Sequence, residues 1–163
     1  MENRALTLRE RLVEALALAA EVDRRARLVR ILGLGLHADG RVRLGAPDDW
    51  ISRWEYAFIV GDEDGESLGY ITVLYLSPDG PRVDPHAGNV SETEFFDDEV
   101  IDGLHDSDRL VKAFNRRFCS HPMAGGEDDV LLITMRRMLD PIAVMYNGNG
   151  DQMRLDPVSL EPR

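Results

Sequence analysis

Between Trp54 and Leu76 the chain reads WEYAFIVGDEDGESLGYITVLYL, two apolar runs either side of an acidic, glycine-containing turn. Trp54, Tyr56, Phe58 and Val60 occupy every second position of the first run. Leu68, Tyr70, Thr72, Leu74 and Leu76 do so in the second, with Ile71, Val73 and Tyr75 on the other face. Period two in aromatic and β-branched residues is the pattern of a strand, and Asp62-Glu63-Asp64-Gly65 supplies turn chemistry. A central β-hairpin, buried on at least one face, is therefore the element around which the rest must pack. Trp54, Tyr56 and Phe58 are expected to share one core with Leu12 and Leu16 of a preceding helix.

That helix follows from Thr7-Leu8-Arg9-Glu10, which fits a capping box. Leu8, Leu12, Ala15, Leu16 and Ala19 then recur at helical spacing to about Val22. Leu28 to Leu36, the turn His37-Ala38-Asp39-Gly40 and Arg41 to Leu44 read as a second, smaller hairpin. Ser77-Pro78-Asp79-Gly80 closes the central hairpin. Beyond Arg82 the pattern dissolves into polar, acidic sequence, in which Ser91 to Glu94 can cap a short helix turning Phe95, Phe96, Val100 and Ile101 inward. Asp106 or Ser107 caps a clearer helix with Leu110, Val111, Phe114 and Phe118 on one face, ended by His121-Pro122. Ala124-Gly125-Gly126 reads as a flexible connection. Val130 to Met135 and Ile142 to Tyr146 read as strands, and Asn147-Gly148-Asn149-Gly150 as a hairpin turn into Gln152 to Leu155. The order lacks βαβ alternation. It predicts an α+β fold: an antiparallel sheet of about five to seven strands, with the N-terminal helix and a second helix on one face. Residues 1–163 read as one domain with an irregular tail over 156–163.

Charge narrows the partners. Lys and Arg number 19 and Asp and Glu 30, a net charge of −11. Such a chain repels nucleic acid and anionic membrane surfaces, since phosphate binding needs Lys and Arg to neutralise it. A basic protein or a cation is the natural counterpart. The single cysteine, Cys119, allows no intrachain disulfide. The first 25 residues hold no long uncharged apolar stretch, so neither a signal peptide nor a membrane span is expected, and a cytoplasmic location is the default. The one basic cluster, Arg24, Arg25, Arg27 and Arg30, reads as solvated charge at a helix end.

Each chemical motif competes with a plainer reading. Gly65-Glu66-Ser67-Leu68-Gly69 matches G-x-S-x-G, but a nucleophile elbow needs its serine on a strand-to-helix turn, and Ser67 opens a strand. Gly33-Leu34-Gly35-Leu36-His37-Ala38 matches the loose dinucleotide fingerprint without the helix that would hold a pyrophosphate. Its glycines read instead as points where a neighbour approaches closely. Asp62, Asp64 and Glu66, and Asn147, Asn149 and Asp151, alternate like calcium ligands, yet the sixth and twelfth loop positions are wrong for an EF-hand. His37, His86, His105 and His121 share no metal-ligand spacing. Cys119 reads as a structural thiol. No cofactor, metal or catalytic residue is assigned.

The stretches ARLVRILGLGLHADGRV, WEYAFIV, YITVLYLSPDG and DSDRLVKAF, following an N-terminal helix, resemble small bacterial α+β modules of the PepSY-like or cystatin-like kind. The likeness spans Ala26 to Phe114. It implies a helix packed across an antiparallel sheet and an inhibitory or binding role without catalysis. Those modules are usually exported, and this chain departs from them in showing no export signal. Acidity, size and element order also resemble secretion chaperones that shield a segment of a client.

The sequence reading is thus a non-catalytic protein-binding module. Its contact surface is expected in the acidic segment, at Glu94, Phe95, Phe96, Asp97, Asp98, Glu99 and Asp102. Between Glu92 and Asp108 there are eight carboxylates and no Lys or Arg, interleaved with apolar residues that can anchor a basic partner. A chaperone or immunity-type protein for a basic partner, self-association, and a small hydrolase using Ser67 or Cys119 are the alternatives.

Overall fold

Each inward position of the central hairpin holds a side chain that has lost its contact with water. The computed structural model describes residues 5–45, 52–61, 67–87, 94–137 and 140–163, with the side chains of 67 and 68 outside the description. In chain order the elements are β1 (Ala5–Leu6), α1 (Leu12–Val22), β2 (Ala26–Leu34), β3 (Val42–Arg43), β4 (Arg53–Gly61), β5 (Ser67–Ser77) and β6 (Gly80–Ala87). They continue as α2 (Asp98–Gly103), α3 (Ser107–Arg117), β7 (Val130–Arg137), β8 (Asp140–Tyr146) and β9 (Gln152–Leu155). Seven strands form one antiparallel sheet in the order β6-β5-β4-β2-β7-β8-β9, and β1 pairs with β3 in a separate ribbon. The fold is α+β, as the order of motifs predicts.

In the hairpin, Trp54 lies opposite Tyr75, Tyr56 opposite Val73 and Phe58 opposite Ile71. These six are buried and belong to one cluster with Leu12, Ala15 and Ala19 of α1, Val100 and Ile101 of α2, and Leu110 and Phe114 of α3. Leu16 packs against the cluster from its margin. Trp54 Nε1 donates to Leu6 O at 2.8 Å and Tyr56 Oη to Leu8 O at 2.5 Å, so the aromatic row also fixes the N-terminal segment. Gly33 pairs with Trp54 across β2 and β4, and a Cβ there would lie 2.6 Å from the indole ring. That close approach accounts for the first glycine of the dinucleotide-like motif.

The two buried phenols set an alkaline limit. Burial pushes the Tyr56 hydroxyl well above its ordinary range, and burial with a hydrogen bond to Glu14 does the same at Tyr75. A group whose folded pKa is raised contributes stability that is complete below the unfolded value and lost as pH climbs towards the folded one. The protein is therefore expected to lose stability above about pH 10. Tyr56→Phe should flatten that decline in a denaturation series across alkaline pH. An equally steep decline in the variant would assign it to other groups.

Several elements differ from the sequence reading, each for a physical reason. Glu10 does reach back to Thr7 N at 3.2 Å, but Thr7 Oγ1 donates to Asp106 and the N–H groups of Leu8 and Arg9 go to Ser107 and Asp106. The first turn is thereby tied to α3, and α1 begins only at Leu12. The turn at His37 forms and the hairpin begins, with His37 N donating to Arg41 O and Leu36 bridging Val42, but β3 otherwise pairs with β1 because β4 and β7 already occupy both edges of β2. Residues 82–87, read as the start of a polar, acidic stretch, belong to edge strand β6; Pro81 and Pro85 conceal the pattern because proline is tolerated only at an edge. Ala124 to Gly126 is held by Asp129, whose Oδ2 accepts from Ala124 N and Gly126 N. The tail folds back on β9 through Leu155 opposite Pro162 and an Arg163–Asp156 ion pair at 2.6 Å.

Candidate functional site

The acidic segment is built as two successive helix starts. Asp97 caps α2 by accepting from Val100 N at 2.8 Å, and Asp106 caps α3 through Ser107 N. Asp98 and Glu99 fill the first turn of α2, and Asp108 that of α3. Carboxylates there face the positive end of the helix dipole, which offsets their mutual repulsion. Of the cap read at Ser91 to Glu94, residues 91–93 lie outside the described residues, and the helix starts instead from Asp97, beyond Phe95 and Phe96. Asp106 also holds the N-terminal segment, since its Oδ2 accepts from Thr7 Oγ1 at 2.9 Å and its Oδ1 from Arg9 N at 3.0 Å.

The expected apolar anchors divide. Phe96, Val100 and Ile101 sit in the core, Phe96 with its N–H bonded to Leu28 O at 2.8 Å. Only Phe95, 47% exposed, remains beside the exposed Asp98, Glu99 and Asp102 and the half-buried Glu94. The Arg27 guanidinium lies 5.8 Å from its ring centroid, so the chain's own basic cluster supplies a cation to this segment. Arg25 turns instead to Asp23, and its side-chain and backbone hydrogen bonds hold that exposed carboxyl down at about 2. Arg30 faces Glu55.

The chemistry-bearing residues stay dispersed. Ser67 opens β5 opposite Gly61, a strand position and not the strand-to-helix turn a nucleophile elbow needs. Cys119 is exposed just beyond α3. His86 stacks on Tyr70 at the β6 edge, 4.5 Å between ring centroids, whereas His105 donates its N–H to Pro157 O beyond β9 at the other edge. Asn147 Oδ1 accepts from the N–H groups of Asn149 and Asp151, and its amide donates to Asp151, so that loop satisfies itself. Among the described residues no three His, Cys, Asp or Glu side chains gather as a metal site. The acidic loop at 62–66 lies outside them. A shallow cleft of about 370 Å³ runs between the end of α1 and β5–β6; its polar side chains are Asp23, Tyr70 and His86, of which Asp23 is engaged by Arg25.

A second surface escaped the sequence reading. All three helices contribute their buried residues to the face of the sheet that carries Trp54. On the opposite face the register aligns one row across all seven strands: Arg82, Leu74, Glu55, Leu32, Leu132, Val144 and Arg154. Flanking it are Leu34, Val130 and Tyr146 on one side and Ala57, Thr134 and Ile142 on the other. Leu32, Leu34, Leu74, Val130, Leu132 and Val144 remain partly exposed and Tyr146 is 38% exposed. None of them belongs to the helix-side core. The signal was present in the sequence, because strands apolar at both parities, such as YITVLYL and VLLITM, call for burial on both faces. Among the described residues, the helices cover only one.

The comparisons with known proteins add no relative. No family model matches the chain, and no curated protein or solved structure gives a significant match. Among the described residues no helix is long and apolar enough to cross a membrane.

Proposed function

We propose that this protein is a non-catalytic protein-binding module that docks through the helix-free face of its sheet. One observation carries the reading: the row Leu74, Leu32, Leu132 and Val144 crosses the sheet on the face that no helix covers among the described residues. Contiguous apolar patches of several hundred Å² on a folded chain mark contact sites. Ion pairs punctuate this one, with Glu55 accepting from Arg53 at 3.1 Å and Arg30 4.0 Å away. Such fixed charges set register and exclude wrong partners more than they add affinity.

The test is a photo-crosslinking side chain at position 132, with position 13 as control, since Val13 is 73% exposed on α1. The reading expects a mass-defined protein adduct at 132 that disappears when Val144→Glu is added. No protein adduct at 132, in cells or with purified protein, would contradict it.

The acidic segment supports a second, narrower reading, a basic partner seated on Phe95 with Asp98, Glu99 and Asp102 around it. The exposure of Phe95 favours it; the Arg27 already over the ring weighs against it. Asp98→Asn with Glu99→Gln should then slow association at low salt and flatten its salt dependence. Unchanged rates leave these carboxylates as helix-start charges.

A further inference from the structure

Resting on that reading, we infer that the open face of the sheet takes an acidic protein segment. Its apolar side chains would lie on the row Leu74, Leu32, Leu132 and Val144, and its carboxylates on the arginines around that row. The sign of the charge identifies the occupant. Among the described residues the strand register places five arginines on this face: Arg82 on β6, Arg53 on β4, Arg27 and Arg30 on β2, and Arg154 on β9. Two carboxylates stand among them, Glu55 and Asp84. At the far end of β8, Asp140 meets Arg136 at 2.8 Å and Arg137 at 3.5 Å, so that corner adds no negative excess. The face is thus positive on a chain whose net charge is −11.

The ion pairs on the face do not cancel that excess. Glu55 is one carboxylate between two guanidiniums, Arg53 at 3.1 Å and Arg30 at 4.0 Å. Asp84 meets Arg82 at 2.9 Å. Arg154 is exposed beside Val144, and the exposed Arg27 faces the ring of Phe95, a contact that leaves its charge in place. A guanidinium fork matches a carboxylate through two parallel hydrogen bonds and is weakly hydrated, which suits arginine to carboxylate recognition beside apolar surface.

The same sign would attract a phosphate backbone, but the pattern favours a protein. Nucleic-acid grooves track the backbone with continuous positive charge. Here four aliphatic side chains occupy the middle of the row, and Arg82 and Arg154 stand at its two ends. Six strand spacings of about 4.8 Å put those ends roughly 29 Å apart, the length of a helix of about 20 residues. An apolar row between cations is the complement of an amphipathic acidic segment. The remaining surface is negative and repels such a segment, which leaves this face as its landing place. The sign is opposite to that of a partner for the acidic segment at Asp98, Glu99 and Asp102, so charge separates the two contacts.

Titration of the intact, methyl-labelled chain with two synthetic peptides of about 20 residues tests this. Both carry leucines at helical spacing; one has glutamate and the other lysine at the remaining positions. At ~0.15 M salt, screening beyond about 8 Å leaves the charges of the face, not those of the whole chain, to decide. The glutamate peptide should shift the methyl signals of Leu32, Leu132 and Val144 and spare Val13. Read at those methyls, its dissociation constant should be at least about tenfold below that of the lysine peptide. Arg82→Glu with Arg154→Glu should abolish the preference and Asp84→Asn should strengthen it, with circular dichroism checking that the variants are folded. An equal or stronger response of these methyls to the lysine peptide overturns the acidic-segment proposal. So does a response to neither peptide, a response to a uridine oligonucleotide instead, or a preference that survives the rim variants. In each of those cases the binding-module reading still stands or falls on the adduct at position 132.

Discussion

Replacing Trp54 with alanine is expected to lower the unfolding free energy by about 3–5 kcal/mol, the range for truncating a large buried aromatic side chain. The side chain is fully buried, stacks on Tyr56 with ring centroids 6.5 Å apart, and covers Gly33. Truncation opens a cavity over β2, which has no Cβ at position 33 to fill it. It also strips Leu6 O of its indole donor, leaving a buried carbonyl whose hydrogen bond is lost. Since Leu6 opens the segment that Tyr56 and Asp106 hold further along, the damage spreads to β1. Urea denaturation measures the effect. An unchanged midpoint would mean that the hairpin is not the centre of the core.

Asp106→Ala is the second large effect, expected at about 2–4 kcal/mol from one lost cap and two further part-buried donors left unpaired. This carboxylate holds three parts of the chain: it starts α3 through Ser107 N, receives the Thr7 hydroxyl, and receives Arg9 N. Beside it, Ser107 Oγ donates to Gly40 O at 2.5 Å and accepts from Leu8 N at 3.0 Å. Arg9 in turn donates to the carbonyls of Ile101 and Leu104, both at 2.9 Å. Asp106→Asn keeps an acceptor at Oδ1 and should recover more than half of the loss. Chemical denaturation of the pair separates the hydrogen bonds from the charge. If alanine cost no more than Asp98→Ala on the exposed face of α2, the corner would not be a structural junction.

What local sequence can carry was legible. The period of WEYAFIV, the cap before Leu110, and the Asn-Gly turn at 147–150 all announce elements whose causes lie within a few residues of each other. Elements that depend on distant partners were not. The start of α1 moves to Leu12 because Asp106, far along the chain, takes the amide that a local cap would otherwise satisfy. Strand β3 leaves the sheet because β2 has no edge left. The acidic run reads as a patch in one dimension, but folding commits Asp97 and Asp106 to helix caps and turns Phe96, Val100 and Ile101 into the core. The open face stayed hidden for a related reason: period two shows that a strand has two faces, and only the placement of the helices decides which one they cover.

The central claim, one covered face and one face kept for a partner, can be read methyl by methyl. A water-soluble paramagnetic agent added to leucine- and valine-labelled protein broadens exposed methyl signals and spares buried ones. The account predicts protection of Leu12, Leu28 and Leu110 at every protein concentration. Leu32, Leu132 and Val144 should be broadened in dilute protein, as should Val13. If Leu32, Leu132 and Val144 are sheltered even in the dilute monomer, that face is covered by the chain itself and the account is wrong.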